Sequence, residues 1–340
     1  MKVIVFDAHP FERGPLQEAN RSFDHELCFL EPRLTIQTAV LAQGFPCVCA
    51  FANDRLDESV LELLKAGGTR LVALRSAGFN HVDLVAADRL GLTVVRVPEY
   101  SPYAVAEHAV CLLLALNRNV HRAYNRVREL NFSLDGLVGF DLHGKTVGLI
   151  GTGRIGAVMA RIMKGFGCRL LLHDANPAHE LAQALDAAYV ALEDLYVQSD
   201  VISLHVPLTP ATRYLINHPA LSLMKRGVFL INTGRGALVD TKALIDHLKT
   251  GHVGGAGLDV YEEEENIFFH NLSGQILQDD TLARLLTFPN VLITSHQAFL
   301  TREALNNIAQ TTLQNITDFE GLRPLKNRIG SERYGHSLVS

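Results

Sequence analysis

The sequence predicts an α/β protein built on two parallel-sheet layers. Three observations carry this. Short β-branched apolar runs alternate with helical patterns along most of the chain. The runs are apolar on both faces, as strands covered by helices on either side must be. Finally, 340 residues at ~150 per domain give about two domains. With 48% apolar and 20% charged residues, the chain has the composition of one that folds on a core.

The first block runs to about residue 100. Strands are expected at Val3–Phe6, Cys47–Phe51, Leu71–Leu74 and Thr93–Val97. Helical patterns at Leu34–Leu41, Leu61–Lys65 and Asp83–Leu90 are closed by Gly44, Gly67-Gly68 and Gly91 in helix-stop positions. Pro98-Glu99-Tyr100-Ser101-Pro102 then punctuates the chain. Ser101 suits the cap, and Pro102 the first turn, of a long connecting helix reaching from Ala104 to about Leu130. From Thr146 the alternation resumes, with six strands expected at Val147–Ile150, Leu170–His173, Val201–His205, Val228–Ile231, Ala256–Val260 and Val291–Thr294. A last helix, Arg302–Phe319, is too small to be a domain and must pack back on one of the two. The mostly polar tail from Ile329 is expected to be loose.

Charge and cysteine content narrow the function. Lys plus Arg total 31 against 36 for Asp plus Glu, a net charge of -5 with no basic block, which argues against a nucleic-acid groove. Cys28, Cys47, Cys49, Cys111 and Cys168 are odd in number and form no CxxC. They read as reduced thiols, not a disulfide framework or a metal site. Four apolar residues before Asp7 are too few for a signal-peptide core, and Ala109–Leu116 is far short of the ~20 residues of a membrane span. The expectation is a cytoplasmic protein without a membrane partner.

The strand Val147–Ile150 leads into Gly151-Thr152-Gly153-Arg154-Ile155-Gly156, which opens a helix carrying Val158, Ile162 and Met163. Such a turn binds a dinucleotide when Gly151 makes the tight turn, Gly153 lets the backbone approach a pyrophosphate, and Gly156 packs helix on strand. The next strand ends in Asp174, where an acid takes the ribose hydroxyls. Ala175, Asn176 and Pro177 offer nothing to pair a 2′-phosphate, so NAD is expected rather than NADP. The plain alternative is a glycine-rich turn beside an ordinary surface Asp; strand, turn, helix, strand and acid in register count against it.

Ligands in open α/β sheets bind at the carboxyl ends of strands. Three successive strand ends carry polar groups there: Asn232-Thr233-Gly234-Arg235-Gly236, then Tyr261-Glu262-Glu263-Glu264-Glu265 after Asp259, then Ser295-His296-Gln297. A guanidinium grips a carboxylate at two points and polarises a keto group. A carboxylate beside a histidine favours the imidazolium and equips it to donate a proton. Taken singly, these residues also read as a solvated arginine, an acidic surface turn and an incidental histidine.

These residues, in this order, resemble the D-isomer-specific 2-hydroxyacid dehydrogenases over nearly the whole chain. The match includes the glycine turn, His205-Val206-Pro207-Leu208-Thr209, Asn232–Gly236 and Gly257-Leu258-Asp259-Val260-Tyr261. Arg75-Ser76-Ala77-Gly78-Phe79-Asn80-His81-Val82-Asp83, Tyr100-Ser101-Pro102, His296-Gln297-Ala298-Phe299-Leu300-Thr301 and the insert Asn266–Asp280 look like the lactate branch. The resemblance implies two doubly wound parallel-sheet domains, the larger a Rossmann dinucleotide-binding domain and the smaller flavodoxin-like. Residues 1–100, completed by 299–340, would bind substrate in a cleft that closes on it, and residues 101–298 would bind NAD. Arg235 would hold the substrate carboxylate, His296 would be the acid–base, and Glu264 would charge the imidazole, with Glu262 as the alternative. Gly151, Gly153, Arg154, Ile155, Gly156, Asp174, Val206, Pro207, Thr212, Thr233, Gly234 and Asp259 would lie along the cofactor. Ser76, Ala77 and Gly78 would meet the carboxylate through their backbone, and Tyr100 and Phe299 would wall the pocket. Gly234 departs from the Ala or Ser common in the family, at a place where the backbone acts.

The implied reaction is reduction of pyruvate to D-lactate by NADH, as in fermentation, by a homodimer (or tetramer) that uses no metal. The alternative substrate is a bulkier 2-keto acid or hydroxypyruvate. Phosphoglycerate is disfavoured because Ser76–Asn80 has no arginine cluster beside it. Outside the enzymes, an NAD-sensing co-regulator shares the fold. That role needs an exposed peptide groove and long extensions, for which only the tail from Ile329 is a candidate.

Overall fold

The computed structural model describes residues 1–264 and 267–334. In chain order, the first elements are β1 (Lys2–Val5), α1 (Pro10–Asn20), β2 (Glu26–Phe29), β3 (Cys47–Ala50), α2 (Glu58–Ala66), β4 (Leu71–Leu74), α3 (Leu84–Arg89) and β5 (Thr93–Val95). There follow α4 (Pro102–Asn117), α5 (Val120–Arg128), β6 (Thr146–Ile150), α6 (Arg154–Gly165), β7 (Arg169–His173), α7 (His179–Leu185), β8 (Ala188–Tyr189), α8 (Leu192–Gln198) and β9 (Val201–Leu204). The chain continues through α9 (His218–Leu223), β10 (Val228–Asn232), α10 (Thr241–Lys249), β11 (Val253–Leu258), α11 (Asp280–Leu286) and β12 (Val291–Ile293). It closes with α12 (Arg302–Glu320), β13 (Arg328–Ile329) and α13 (Ser331–Tyr334). Two compact units result, Met1–Ser101 with the segment from Phe299 onward, and Pro102–Ala298.

In the first unit the strand order is β13-β5-β4-β3-β1-β2, parallel throughout except for β13 against β5. Without β13 this is the flavodoxin-like order, which reverses between β1 and β3. The two-residue strand period explains the double apolar faces. Val3 and Val5 point with Cys47, Cys49 and Leu71 toward α1 and α12, where Leu16, Leu313 and Ile316 meet them. Ile4 and Phe6 point the other way with Val48 and Val72, onto Leu61, Leu64 and Leu84 of the opposite helices. Arg75, fully buried after β4, knits the carboxyl ends of three strands together. It pairs with Glu12 at 3.0 and 3.2 Å and donates to the carbonyls of Phe6, Asp7 and Cys49. A buried charge with every donor used is tolerated, whereas one stripped of its partner is not.

In the second unit seven parallel strands run β12-β11-β10-β9-β6-β7-β8. This is the doubly wound dinucleotide-binding order, and it switches direction between β6 and β9. The sheet is buried on both faces, by Met159, Met163 and Leu113 on one and by Leu221, Leu244 and Leu285 on the other.

Several sequence-based expectations are corrected. The helix expected from Ala104 to Leu130 is two helices. Asn119 takes a left-handed conformation (φ 51) between them, which asparagine tolerates better than most residues. The side chain of Asn117 bonds both the N–H and the C=O of Phe140, tying the break to the following loop. Leu34–Leu41 is not a helix but turns ending in one 3-10 turn at Ala39–Ala42. The hydroxyl of Thr38 donates to Arg33 O, and the Asp54 carboxylate accepts from Leu34 N, so side chains take the backbone groups a helix would need. The tail is not loose at its start, because Ile329 pairs with Val94 and is 2% exposed. Residues 335–340, the rest of that expectation, lie outside the described residues, as do Glu265 and Asn266. Pattern reading also passed over α1, β2 and β8.

Candidate active site

At the end of β6, Gly151 is left-handed (φ +95), and a Cβ there would stand 2.5 Å from His205 O. A Cβ on Gly156 would stand 2.0 Å from Gly151 O, so only glycine lets α6 lie against the turn. Gly153, in contrast, faces open space and precedes α6, whose first residues are Arg154 and Ile155. The first and third glycines are therefore demanded by internal packing, and the second leaves the helix N-terminus open to an anion. Asp174 receives Thr152 N (2.6 Å) and Oγ1 (3.1 Å) on one oxygen and Asn176 N (2.8 Å) on the other. Burial alone would raise its pKa, but these donors hold the carboxyl below its usual range. Thr233, past the end of β10, has a buried hydroxyl with no partner among the described residues. An open helix N-terminus, a fixed carboxylate and an orphaned hydroxyl at the ends of one parallel sheet fit a dinucleotide.

On the loop after β9, Thr212 Oγ1 donates to Pro207 O (2.6 Å) and accepts from Thr209 N (2.8 Å), which folds the segment carrying Val206 and Pro207. Burial pushes the His205 imidazole down to about 4, so it is neutral near pH 7. Its Nε2 lies 2.9 Å from Ser203 Oγ.

Neighbouring strands β10, β11 and β12 deliver the polar groups expected from the sequence. After β10, Asn232 clamps the loop, accepting from Gly234 N (3.0 Å) and donating to Arg235 O (2.9 Å). A Cβ on Gly236 would stand 2.0 Å from Tyr261 C, whereas one on Gly234 would meet the flexible end of Leu238 at 3.2 Å and make ordinary contact with Asn232 Oδ1 and Val206 O. Arg235 is partly exposed, bonds its neighbour Gly234 O (2.7 Å), and pairs with no carboxylate among the described residues.

Asp259, expected beside the cofactor, is fully enclosed. It accepts from Thr294 Oγ1, Gln297 N (2.9 Å) and Ala298 N (2.8 Å), with His108 Nε2 at 3.3 Å. Burial would raise its pKa, but His108, Thr294 and Ala298 hold it below the usual range. Its reach on the site runs through the loop it pins. On that loop His296 is left-handed (φ 49), and its Nδ1 meets Glu264 Oε1 at 2.8 Å. Glu262 is engaged elsewhere, by Tyr214 Oη (2.6 Å) and Thr241 N (3.0 Å). Of the two carboxylates left open by the sequence, Glu264 is the one at the imidazole.

The remaining residues belong to the first unit. Ser76 Oγ donates to Gly78 O (2.7 Å), and the amides of Ala77 and Gly78 find no acceptor among the described residues. The Phe299 ring lies 6.3 Å from Tyr100, 6.3 Å from Phe51 and 6.1 Å from Phe11.

The family model for the NAD-binding domain of D-isomer specific 2-hydroxyacid dehydrogenases matches residues 110–298. The D-lactate dehydrogenase of Escherichia coli is 52% identical over 320 residues, covering 94% of this chain and 97% of that one. The chain belongs to the D-isomer-specific 2-hydroxyacid dehydrogenase family. Among solved structures, the pyruvate reductase of Chlamydomonas reinhardtii superposes with a TM-score of 0.89 at 46% identity, over 96% of this chain and 98% of that one. The D-lactate dehydrogenase of Lactobacillus jensenii, solved with NAD+, gives 0.81 at 30% identity, over 97% and 100%.

This dehydrogenase is an oxidoreductase with an NAD-binding domain, as the glycine turn implied. Sequence reading missed the residues that hold its site in shape. Asn232 and Arg75 stood inside quoted motifs, so a signal existed. His108 and Thr294 carried none, since only the fold brings α4 and the end of β12 to Asp259. No helix among the described residues is long and apolar enough to cross a membrane.

Proposed function

We propose that this dehydrogenase reduces pyruvate to D-lactate with NADH, reversibly. The carrying observation is the His296–Glu264 pair at 2.8 Å, with Arg235, which meets no carboxylate among the described residues, following the strand beside the one that leads to Glu264. When bound, NADH supplies the hydride to the keto carbon. Arg235 binds the substrate carboxylate in two-point fashion and orients the keto group. His296 donates a proton to the keto oxygen, and Glu264 steadies the imidazolium before the transfer. The amides of Ala77 and Gly78, which meet no acceptor among the described residues, lie in the turn that Ser76 closes and add donors for the carboxylate. Gly151, Gly153, Arg154, Ile155, Gly156, Asp174 and Thr233 hold the dinucleotide. Val206, Pro207, Thr212 and Gly234 shape its path, and Asp259 acts through the 294–298 loop. Phe299, set against Phe11, Phe51 and Tyr100, walls the side of the pocket that takes the pyruvate methyl. The names of the Escherichia coli and Chlamydomonas reinhardtii relatives support the same choice.

The partner surface in this reading is α5 and the loop after it. Nothing on α5 is buried, and Val120, Tyr124, Leu130, Phe132, Leu134 and Val138 are 55–91% exposed. An apolar patch of that extent is what a second copy covers. Five free thiols suit the cytoplasm.

The test follows NADH oxidation with pyruvate, hydroxypyruvate, 2-ketoisocaproate and phenylpyruvate in parallel. Pyruvate is expected to give the highest kcat/KM. Preference for a larger acid would overturn the substrate, and no turnover with any acid would overturn the reading.

A further inference from the structure

Three peptide carbonyls of the turn that follows β4 are tied back into the first unit. Val97 N donates to Ser76 O (3.2 Å), Arg96 Nη1 to Ala77 O (2.7 Å), and Ser76 Oγ to Gly78 O (2.7 Å). In a trans peptide the C=O and the next N–H point in opposite directions. The first two ties therefore aim the amides of Ala77 and Gly78 outward, and neither finds an acceptor among the described residues. Adjacent amides pointing the same way form a concave donor site for an anion.

Among these ties, Arg96 supplies the one side chain from outside the turn. It is itself firmly placed. Its guanidinium carbon lies 4.9 Å from the centre of the Phe79 ring, which adds a second hold on the turn. Its backbone is gripped on both sides: Arg96 N donates to Asn327 O (3.1 Å), and Arg96 O accepts from Asn315 Nδ2 (2.9 Å). Asn315, 5% exposed, in turn accepts from Asn327 Nδ2 (2.8 Å). The helix α12 and the segment before β13 thus hold Arg96, and Arg96 holds the turn.

We propose that Arg96 is a positioning residue for the substrate carboxylate. It touches no reacting atom; it fixes the Ala77–Gly78 peptide so that the Gly78 amide faces the anion. The proposal rests on the functional reading above, in which this turn binds the carboxylate. The carboxylate does not change charge during the reaction, so the contribution is made equally in ground and transition states and falls on KM, not kcat.

The experiment compares wild type with Arg96→Met and Arg96→Lys on whichever 2-keto acid the wild type reduces fastest, with melting temperature and NADH affinity measured alongside. Loss of one charge-assisted bond at the turn is expected to raise KM about tenfold in Arg96→Met. In that variant kcat stays within about threefold and NADH affinity is unchanged, because the cofactor domain is a separate unit. Arg96→Lys keeps a donor and is expected to recover most of the lost KM. An unchanged KM in both variants, or a fall in kcat at constant KM, overturns the proposal. Should Arg96→Met fail to fold, Arg96→Gln, uncharged and too short to keep the bond to Ala77 O, decides: a KM at least about threefold raised supports it, and an unchanged KM overturns it. A wild type inactive on every acid defeats the functional reading, and this proposal with it. An active wild type with indifferent variants defeats this proposal alone.

Discussion

The substitution Asp259→Asn nearly preserves shape, and its cost follows from the hydrogen bonds. The carboxylate is fully enclosed and ionised, with Gln297 N on one oxygen and Ala298 N on the other. An amide has one acceptor atom where the carboxylate has two, so either orientation of the substituted side chain leaves a backbone N–H facing an NH2 group. One buried unsatisfied donor costs about 1–3 kcal/mol, and the remaining bonds lose their charge assistance. A destabilisation of about 3 kcal/mol follows, which for a unit of this size lowers the melting temperature by about 6–12 °C. The loosened segment carries His296 in its left-handed conformation, so kcat should fall by about ten- to a hundredfold through misplacement of the imidazole. Urea unfolding and steady-state kinetics on the same preparation read both effects. A stability change under about 0.5 kcal/mol with kcat within twofold would refute the reasoning.

Three further outcomes are expected. Gly156→Ala places a methyl 2.0 Å from a backbone oxygen, which cannot yield like a side chain. NADH affinity in a fluorescence titration should fall at least about tenfold, and unchanged affinity would contradict the packing role of that glycine. His205 has a folded pKa of about 4 against an ordinary 6.5, so below pH 6.5 the unfolded chain takes a proton that the folded one refuses. Its stabilising effect is full above pH 6.5 and is lost as pH falls toward 4, by at most about 3 kcal/mol because the residue is partly exposed. His205→Gln should flatten that part of the stability–pH curve, and an unaltered curve would assign the slope elsewhere. Phe132→Asp with Leu134→Asp, both on exposed positions, should shift a dimer to monomer in size-exclusion chromatography with the melting curve intact. An unmoved elution volume would place the partner surface elsewhere.

Much of the fold was legible because parallel strands buried on both faces announce themselves as apolar runs, and because glycine turns mark where α6 and the loop after β10 must approach other backbone. The motif around Gly151 predicted both its neighbours and its acid. What stayed hidden was set by side chains that redirect backbone: Thr38 and Asp54 against a helix at Leu34, and Asn117 and Asn119 against one continuous helix. The grouping of the charged candidates Arg235, Glu264 and His296 was legible, since each follows one of three neighbouring strands at the same end of the sheet. Asp259 was legible as a motif residue, but its partners were not. His108 lies far from it in sequence, and only packing of α4 against β11 joins them. Arg96 was hidden for the same reason, because its bond to Ala77 crosses from one strand end to the next.

The central claim is tested most directly by offering pyruvate and NADH to wild type and to His296→Gln, and analysing the product on a chiral column. The account requires D-lactate in stoichiometry with NADH oxidised, and in His296→Gln unaltered NADH binding with turnover reduced at least about a thousandfold. L-lactate, or a variant that turns over within about tenfold of wild type, would contradict it.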